Sequence, residues 1–331
     1  MRTQKAQASI DYGVEWGLIR EAKSMDDQTI EWLLGGDVAI QYQTRRDLLD
    51  EKQPNLQKRI ESEGWGERFL ALRNKDGHWG RGFYVPKWTS SHYTLLDLKH
   101  LNIAPDQEQI RETIQKIIRE RKSADGGINP SDRIVVSDIC INGMLLTYAC
   151  YFGMPQEDLE SVIDYLIQNQ MGDGGFNCLS NRTGAVHSSL HSTISVLEGM
   201  REYKKNGYTY RLAELEGISE QSIEFILQHR LYKSDKTGEV IDRRMLLLSF
   251  PSRWYYDILR ALDYFQSAGV KYDPRMEDAL DILRSKRRRD GTWPVQNRHP
   301  GESHFEMEKT GGPSRWNTLR ALRVFRHFGL K

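Results

Sequence analysis

The chain is short of several things, and each shortage excludes a class. Three cysteines, Cys140, Cys150 and Cys178, are too few and odd in number for a disulfide framework. No run approaches the roughly eighteen consecutive apolar residues of a membrane span. The opening residues, MRTQKAQASIDYGVEWG, lack the apolar centre of a signal peptide. A dominant charge is missing too: 47 Lys and Arg face 46 Asp and Glu, a net +1, which argues against a chain built to coat nucleic acid. The expectation is a cytoplasmic protein with reduced thiols, no transmembrane segment and no nucleic-acid partner. What remains is 331 residues, 38% of them apolar, with 8 Trp, 15 Tyr and 10 Phe. That is enough for one large core.

Internal repetition organises those residues. Four turn motifs stand out: Asp76-Gly77-His78-Trp79, Asp125-Gly126-Gly127-Ile128, Asp173-Gly174-Gly175-Phe176 and Asp290-Gly291-Thr292-Trp293. The first three are 49 and 48 residues apart, and a worn copy, Asp235-Lys236-Thr237-Gly238, fills the gap before the fourth. Asp-Gly reverses the chain because Gly accepts positive φ. The large residue two places after the first Gly is placed to cover a helix end. Before each turn runs an amphipathic pattern, as in Gln156–Gln170, where Leu159, Val162, Ile163, Leu166 and Ile167 form one stripe. Asp106 with Gln109 reads as a capping box, and Asp273-Pro274 as an N-cap followed by Pro.

After each turn comes a more apolar helix: Thr89–Leu101, Cys140–Phe152, Ser188–Tyr203, Trp254–Phe265 and Arg315–Phe328, with Asp26–Leu34 and Val38–Leu49 forming a first pair. Aligned, these inner helices put Tyr42, His92, Asn142, His191, Tyr255 and Arg315 at equivalent positions. Helix pairs that cannot bury both faces alone must stack. Six pairs imply an all-α, single-domain α/α toroid over residues 24–331, six inner helices within six outer ones, after an N-terminal extension at 1–23. An open solenoid would need polar capping repeats, and none is evident.

The Asp-Gly-x-Trp/Phe turns, as in Gln168–Phe176, resemble the repeats of squalene and oxidosqualene cyclases and of protein prenyltransferase β subunits. His187–Met200, Phe250–Phe265 and Pro313–Phe325 resemble a single-toroid bacterial subgroup usually described as squalene-cyclase-like. That resemblance covers nearly the whole chain and implies a fold more than a reaction.

In such a ring the inner helices' N-termini face one mouth, where free N–H groups attract anions. Those starts carry Trp88, His92, Asp138, Cys140, His187, His191, Arg253, Trp254, Tyr255, Arg315 and Trp316. Aromatic faces stabilise a carbocation or stack on a sugar, and Arg253 and Arg315 suit a diphosphate or carboxylate. The plain alternative is that the aromatics are core.

Cyclases of this type protonate substrate with an Asp-x-Asp-Asp acid. Here the expected place reads Ser137-Asp138-Ile139-Cys140, and the sole Asp pair, Asp26-Asp27, falls on the first outer helix. The prenyltransferase resemblance implies zinc on Asp138, Cys140 and His191, an open coordination position, and a diphosphate-binding role for Arg133. Asp138, His187 and His191 are the candidate acid/base residues. His187 and His191, four apart, are expected on one helix face. The Tyr expected soon after the Cys is absent, Ile141 and Asn142 standing there, and Cys178 is a substitute ligand. Glu306 and Glu308 reach toward the mouth or toward solvent, and the basic run Arg284–Arg289 reads as a solvated helix end.

The leading expectation is an isoprenoid-processing enzyme, a prenyl transferase or terpenoid cyclase, with an aromatic cavity and a cationic rim. Its ligand would be an isoprenoid or another apolar small molecule; whether a second subunit is needed stays open. The alternatives are a carbohydrate-active toroid, which needs opposed carboxylates, and a non-catalytic ligand-binding toroid.

Overall fold

The computed structural model describes residues 25–179 and 183–330, so the extension at 1–23 lies outside the described residues. The first pair is α1 (Met25–Leu34) and α2 (Val38–Leu48). Two short helices, α3 (Pro54–Arg59) and α4 (Gly64–Ala71), share the next outer place before α5 (Ser91–His100). Then follow α6 (Glu108–Arg121) with α7 (Ile139–Tyr151), and α8 (Gln156–Gln168) with α9 (Leu190–Lys205). The last pairs are α10 (Leu212–Gln228) with α11 (Ile258–Ser267), and α12 (Glu277–Ser285) with α13 (Arg315–Phe328).

The inner helices meet in order, α5 on α7, α7 on α9, α9 on α11 and α11 on α13, and α13 then packs on α2. Gln43 of α2 donates to the His100 carbonyl at the end of α5 at 2.9 Å, which closes the ring as an α/α toroid. The seam is polar as well as apolar. Arg315 lays its guanidinium 4.4 Å over the Trp32 ring and donates to the Trp32 carbonyl, while Arg323 pairs with Asp47 at 3.0 Å. Opposite, α7 and α9 approach most closely because of two glycines. A Cβ on Gly143 would lie 2.6 Å from the Ser195 carbonyl oxygen, and one on Gly199 2.4 Å from that of Gly143.

The four turns repeat one hydrogen-bonding device. Gly77, Gly126, Gly174 and Gly291 have φ of 86°, 87°, 88° and 82°, a region closed to most side chains. The Asp before each Gly folds back on a nearby N–H: Asp76 on His78, Asp125 on Gly127 and Ser137, Asp173 on Ser188, Asp290 on Thr292. The large residue that follows is fully buried in all four copies, and its N–H donates to a side chain of the next inner helix. The pairs are Trp79 with Ser91, Ile128 with Asn142, Phe176 with Thr193 and Trp293 with Thr318. Both Trp copies also reach back to the outer helix just finished, Trp79 to the Phe69 carbonyl at 2.6 Å and Trp293 to that of Leu283 at 2.7 Å. The covering role expected of these residues is therefore a hydrogen-bonded plug at each corner.

Local expectations hold in part. Asp273 caps Arg275 N–H ahead of Pro274 as expected. The cap of α6 is Gln107, whose side chain takes the Ile110 N–H, and not Asp106. Three inner helices begin later than their apolar pattern suggests; α5 starts at Ser91, after a short 3-10 turn at Lys87–Thr89. Ser188 is tied to Asp173, so α9 starts at Leu190. Asp257 caps Arg260 N–H, so α11 starts at Ile258 and leaves Trp254 and Tyr255 on a loop.

Candidate functional site

The expected N-terminal mouth is closed. Residues 296–313 lie across it, and the aromatic groups named from the sequence meet this cover. Trp88 donates from Nε1 to the Pro300 carbonyl at 2.6 Å and sets its edge 4.8 Å from Tyr93. His299 stacks on Tyr255 at 3.8 Å, and Tyr255 stacks on Trp254 at 3.9 Å. His304 reaches Thr94 Oγ1 at 2.9 Å, and Phe305 lies 4.6 Å from Phe69. Gly301 is the only residue type that fits its place, since a Cβ there would lie 2.5 Å from the Trp88 indole. A void of about 40 Å³ is left beneath the cover, little more than one water at roughly 30 Å³. This end is core.

Under the cover sits a buried ion pair. Arg253, on the loop before α11 with φ +57°, reaches Asp97 of α5 at 2.6 Å, and both are buried. Its guanidinium lies 5.6 Å from the Trp88 ring and 5.8 Å from that of Tyr93. Burial pushes the Asp97 carboxyl above its ordinary range even though Arg253 pulls it down. Burial holds His299 and His304 down to about 4, with Arg253 adding to the effect, so both imidazoles are neutral. His92 is fully buried among Phe83, Tyr93 and Tyr148, its Nδ1 3.2 Å from the Tyr148 hydroxyl and its Nε2 without a partner. Burial alone lowers it to about 3.

The expected zinc triad does not assemble. His191 accepts the Tyr256 N–H on Nδ1 at 2.8 Å and sets its ring against Trp254, 5.3 Å away. Burial, reinforced by Arg260, holds it to about 4. Among the described residues no group of three or more His, Cys, Asp or Glu is arranged to hold a metal ion. Cys140 instead neighbours Cys178, whose sulfur accepts the Cys140 N–H at 3.1 Å. His187 precedes α9, is exposed, and so shares no helix face with His191. Arg133 is exposed in the loop after Asn129, its N–H held by Ser131. Arg315 serves the ring seam, and Glu308 caps α13 by accepting the N–H groups of Arg315 and Trp316 at 2.7 and 3.2 Å. Burial raises the Glu308 carboxyl.

The open cavity lies on the ring axis, toward the opposite mouth. Its walls come from all six inner helices: Gln43 and Arg46 of α2, Lys99 and His100 of α5, Tyr151 of α7, and charged stripes on the rest. On α9 the lining positions are Glu198, Arg201, Glu202 and Lys205; on α11, Arg260, Asp263, Tyr264 and Ser267, with Gln266 at the edge; on α13, Trp316, Arg320 and Arg323. This i, i+3, i+4, i+7 spacing marks one helix face. The cavity holds about 180 Å³. Its inner end is aromatic, where Phe250 stacks on Trp316 at 4.9 Å. Trp316 is 2% exposed, and its Nε1 has no partner.

Seven cations line this space; four carboxylates pair with them directly, and the buried Asp257 adds a fifth acidic group that acts on Arg320 and Arg260. Arg46 and Arg323 share Asp47; Arg320 and Arg323 share Asp263; Lys99 and Arg201 share Glu202; and Arg260 holds Glu198 with two hydrogen bonds. Burial lifts Glu202, but Lys99, Lys205 and Arg201 outweigh it and hold the carboxyl at about 2. Lys205 is pushed below the usual lysine range by burial, and Arg201, Lys99 and Arg46 add to that against Glu202. Burial and then the same excess of cations keep His100 neutral. Cations do suit helix C-termini, yet a surplus of positive charge in a confined space exceeds what helix ends require and favours an anion. Reasoning from helix starts does not reach these stripes, whose readable signal is Glu198-x-x-Arg201-Glu202-x-x-Lys205 in the second half of α9.

No protein-family model matches the chain, and no curated protein matches it. Among solved structures the chain is similar to a polysaccharide lyase, at 12% identity over 92% of this chain and 97% of that chain, with a TM-score of 0.51. It is also similar to the type II terpene cyclase MstE from Scytonema. A variant of that enzyme in complex with geranylgeranyl dihydroxybenzoate matches at 12% identity, 92% and 96% coverage and a TM-score of 0.48. Its apo form matches at 12%, 91% and 96%, with 0.46. No described helix is long and apolar enough to cross a membrane. At such identities the likeness is one of fold alone: the chain is an α/α toroid.

Proposed function

We propose that this toroid processes an isoprenoid, taking a short prenyl diphosphate into the axial cavity from the mouth formed by the inner helices' C-termini. One observation carries the reading: a surplus of cations surrounds a cavity whose inner end is aromatic. The diphosphate would sit among Arg46, Lys99, Arg201 and Lys205, and the prenyl group would lie on Phe250 and Trp316. Guanidinium and ammonium groups stabilise a departing diphosphate, and aromatic faces stabilise an allylic cation. Acid-initiated cyclisation is less well supported, because Glu202 is held ionised and Glu198 and Asp263 are engaged by arginines. The volume of about 180 Å³ equals about six waters and lies below the roughly 300 Å³ of drug-sized pockets. A single isoprene unit suits it better than a long chain.

Titration calorimetry at near-physiological salt tests this with inorganic diphosphate, dimethylallyl diphosphate, farnesyl diphosphate and glucuronate. The expected order is dimethylallyl diphosphate tightest, by about tenfold over inorganic diphosphate, an advantage of about 1.4 kcal/mol. Lys205→Ala should weaken both by a similar factor. No binding of any phosphate would overturn the proposal. Binding of glucuronate alone would transfer the same cations to an acidic sugar, the carbohydrate reading.

A further inference from the structure

Cys140 and Cys178 stand outside the axial cavity. Cys140 is in the first turn of α7, and Cys178 lies two residues past the turn plug Phe176. Both are half-buried, whereas Cys150 is buried. The Cys178 sulfur accepts two hydrogen bonds, from the Cys140 N–H at 3.1 Å and the Ser192 hydroxyl at 3.4 Å. The Cys140 N–H is among the first N–H groups of a 13-residue helix, where the backbone offers partial positive charge. Donors of this kind favour thiolate over thiol. The segment bearing Cys178 is held in place, since its own N–H donates to Ser192 Oγ at 3.2 Å. The Cys140 thiol and the Cys178 sulfur also hydrogen-bond each other, so the two sulfurs sit side by side, next to the α7–α9 contact that Gly143 and Gly199 make tight.

We propose that Cys178 and Cys140 are a dithiol oxidised by hydroperoxides. The Cys178 thiolate attacks the peroxide, taking one oxygen as sulfenic acid and releasing water or an alcohol. The Cys140 thiol then attacks that sulfur, an S–S bond forms, and its proton leaves with the hydroxyl as a second water. Two thiols and one hydroperoxide give one disulfide, one water and one water or alcohol. The new bond joins the start of α7 to the approach of α9 across elements already in contact, so the ring need not open. This inference is independent of the ligand proposed for the axial cavity.

The full chain is treated with hydrogen peroxide and analysed by intact and peptide mass spectrometry. The expected product has lost two hydrogens, joins the Cys140 and Cys178 peptides, reverts with dithiothreitol and leaves Cys150 a thiol. In Cys140→Ser, sulfenic acid at Cys178 should persist and be trapped by dimedone. In Cys178→Ser, oxidation of Cys140 should slow by about tenfold or more, following the thiolate fraction. If Cys178→Ser does not fold, Ser192→Ala removes one donor and should slow disulfide formation while leaving both cysteines. Recovery of both thiols unmodified, pairing with Cys150, or equal rates in Ser192→Ala and the parent protein would overturn the inference.

Discussion

Arg253→Ala removes the partner of a carboxylate that cannot reach water. Asp97 is 4% exposed and its hydrogen bond to Arg253 is 2.6 Å, so the variant leaves a buried charge uncompensated. Breaking such a pair costs about 3–5 kcal/mol, which for a chain of this size is a fall in melting temperature of about 4–7 °C. The pH dependence is the sharper test. Asp97 already has a folded-state pKa above its unfolded value, so between those two values the folded state binds more protons and stability falls as pH rises. Without Arg253 the folded pKa climbs further and the decline extends toward neutrality. The difference between parent and variant should therefore be small near pH 4, grow as pH rises, and level off above the variant's pKa. Arg253 also has a left-handed φ of +57°, so Arg253→Gly should be less damaging than Arg253→Ala by about 1 kcal/mol. Replacing both partners, as Arg253→Met with Asp97→Leu, should recover most of the loss, because paired apolar groups cost less than one stranded charge. Urea unfolding at pH 4.5, 6 and 8 measures each term. A loss below about 1 kcal/mol at pH 8, or one larger at acid pH, would refute the assignment of Asp97 as an ionised buried partner.

Gly301→Ala pushes a methyl into the Trp88 indole and should cost about 1–3 kcal/mol, with faster proteolysis inside residues 296–313. Gly311→Ala, which meets nothing within 4 Å, is the control for backbone strain, and equal proteolysis of the two variants would remove the clash as the cause. Trp293→Phe and Trp79→Phe each take the indole donor from a corner carbonyl that keeps one backbone donor, Lys286 N–H on Leu283 and Leu72 N–H on Phe69, and should each cost about 0.5–1.5 kcal/mol in chemical denaturation. Similar losses are expected because the two sites are copies of one device, and a neutral result at either would remove the hydrogen bond from the account.

The turns and the ring were legible because both rest on local chemistry. Asp-Gly with a bulky follower specifies a corner wherever it occurs, and the apolar stripe of α8 needs no tertiary knowledge. Helix starts were less legible where a distant group decides them. Asp173 detains Ser188 and Asp257 delays α11, so the interval from His187 to His191 lost its helical meaning. The axial cavity was hidden for a geometric reason. An inner helix touches its two neighbours and its outer partner, so most of its surface is apolar, and its narrow axis-facing stripe is diluted in any average over the helix. Glu198, Arg201, Glu202 and Lys205 are conspicuous only once the axis is known. The zinc expectation transferred two spacings from a resemblance without the rotation of His191, which the Tyr256 N–H sets.

The seam between α13 and α2 has a consequence for how the molecule comes apart. A linear stack can shed its outermost unit while the remainder persists, but here each hairpin is flanked on both sides, and Arg315, Arg323 and Arg326 bind the last helix to residues near the first. Losing any one hairpin therefore breaks two interfaces together, and it also strips a wall from the space that all six surround. Partial unfolding would open the whole compartment in one step, so loss of the cavity and loss of the fold should coincide.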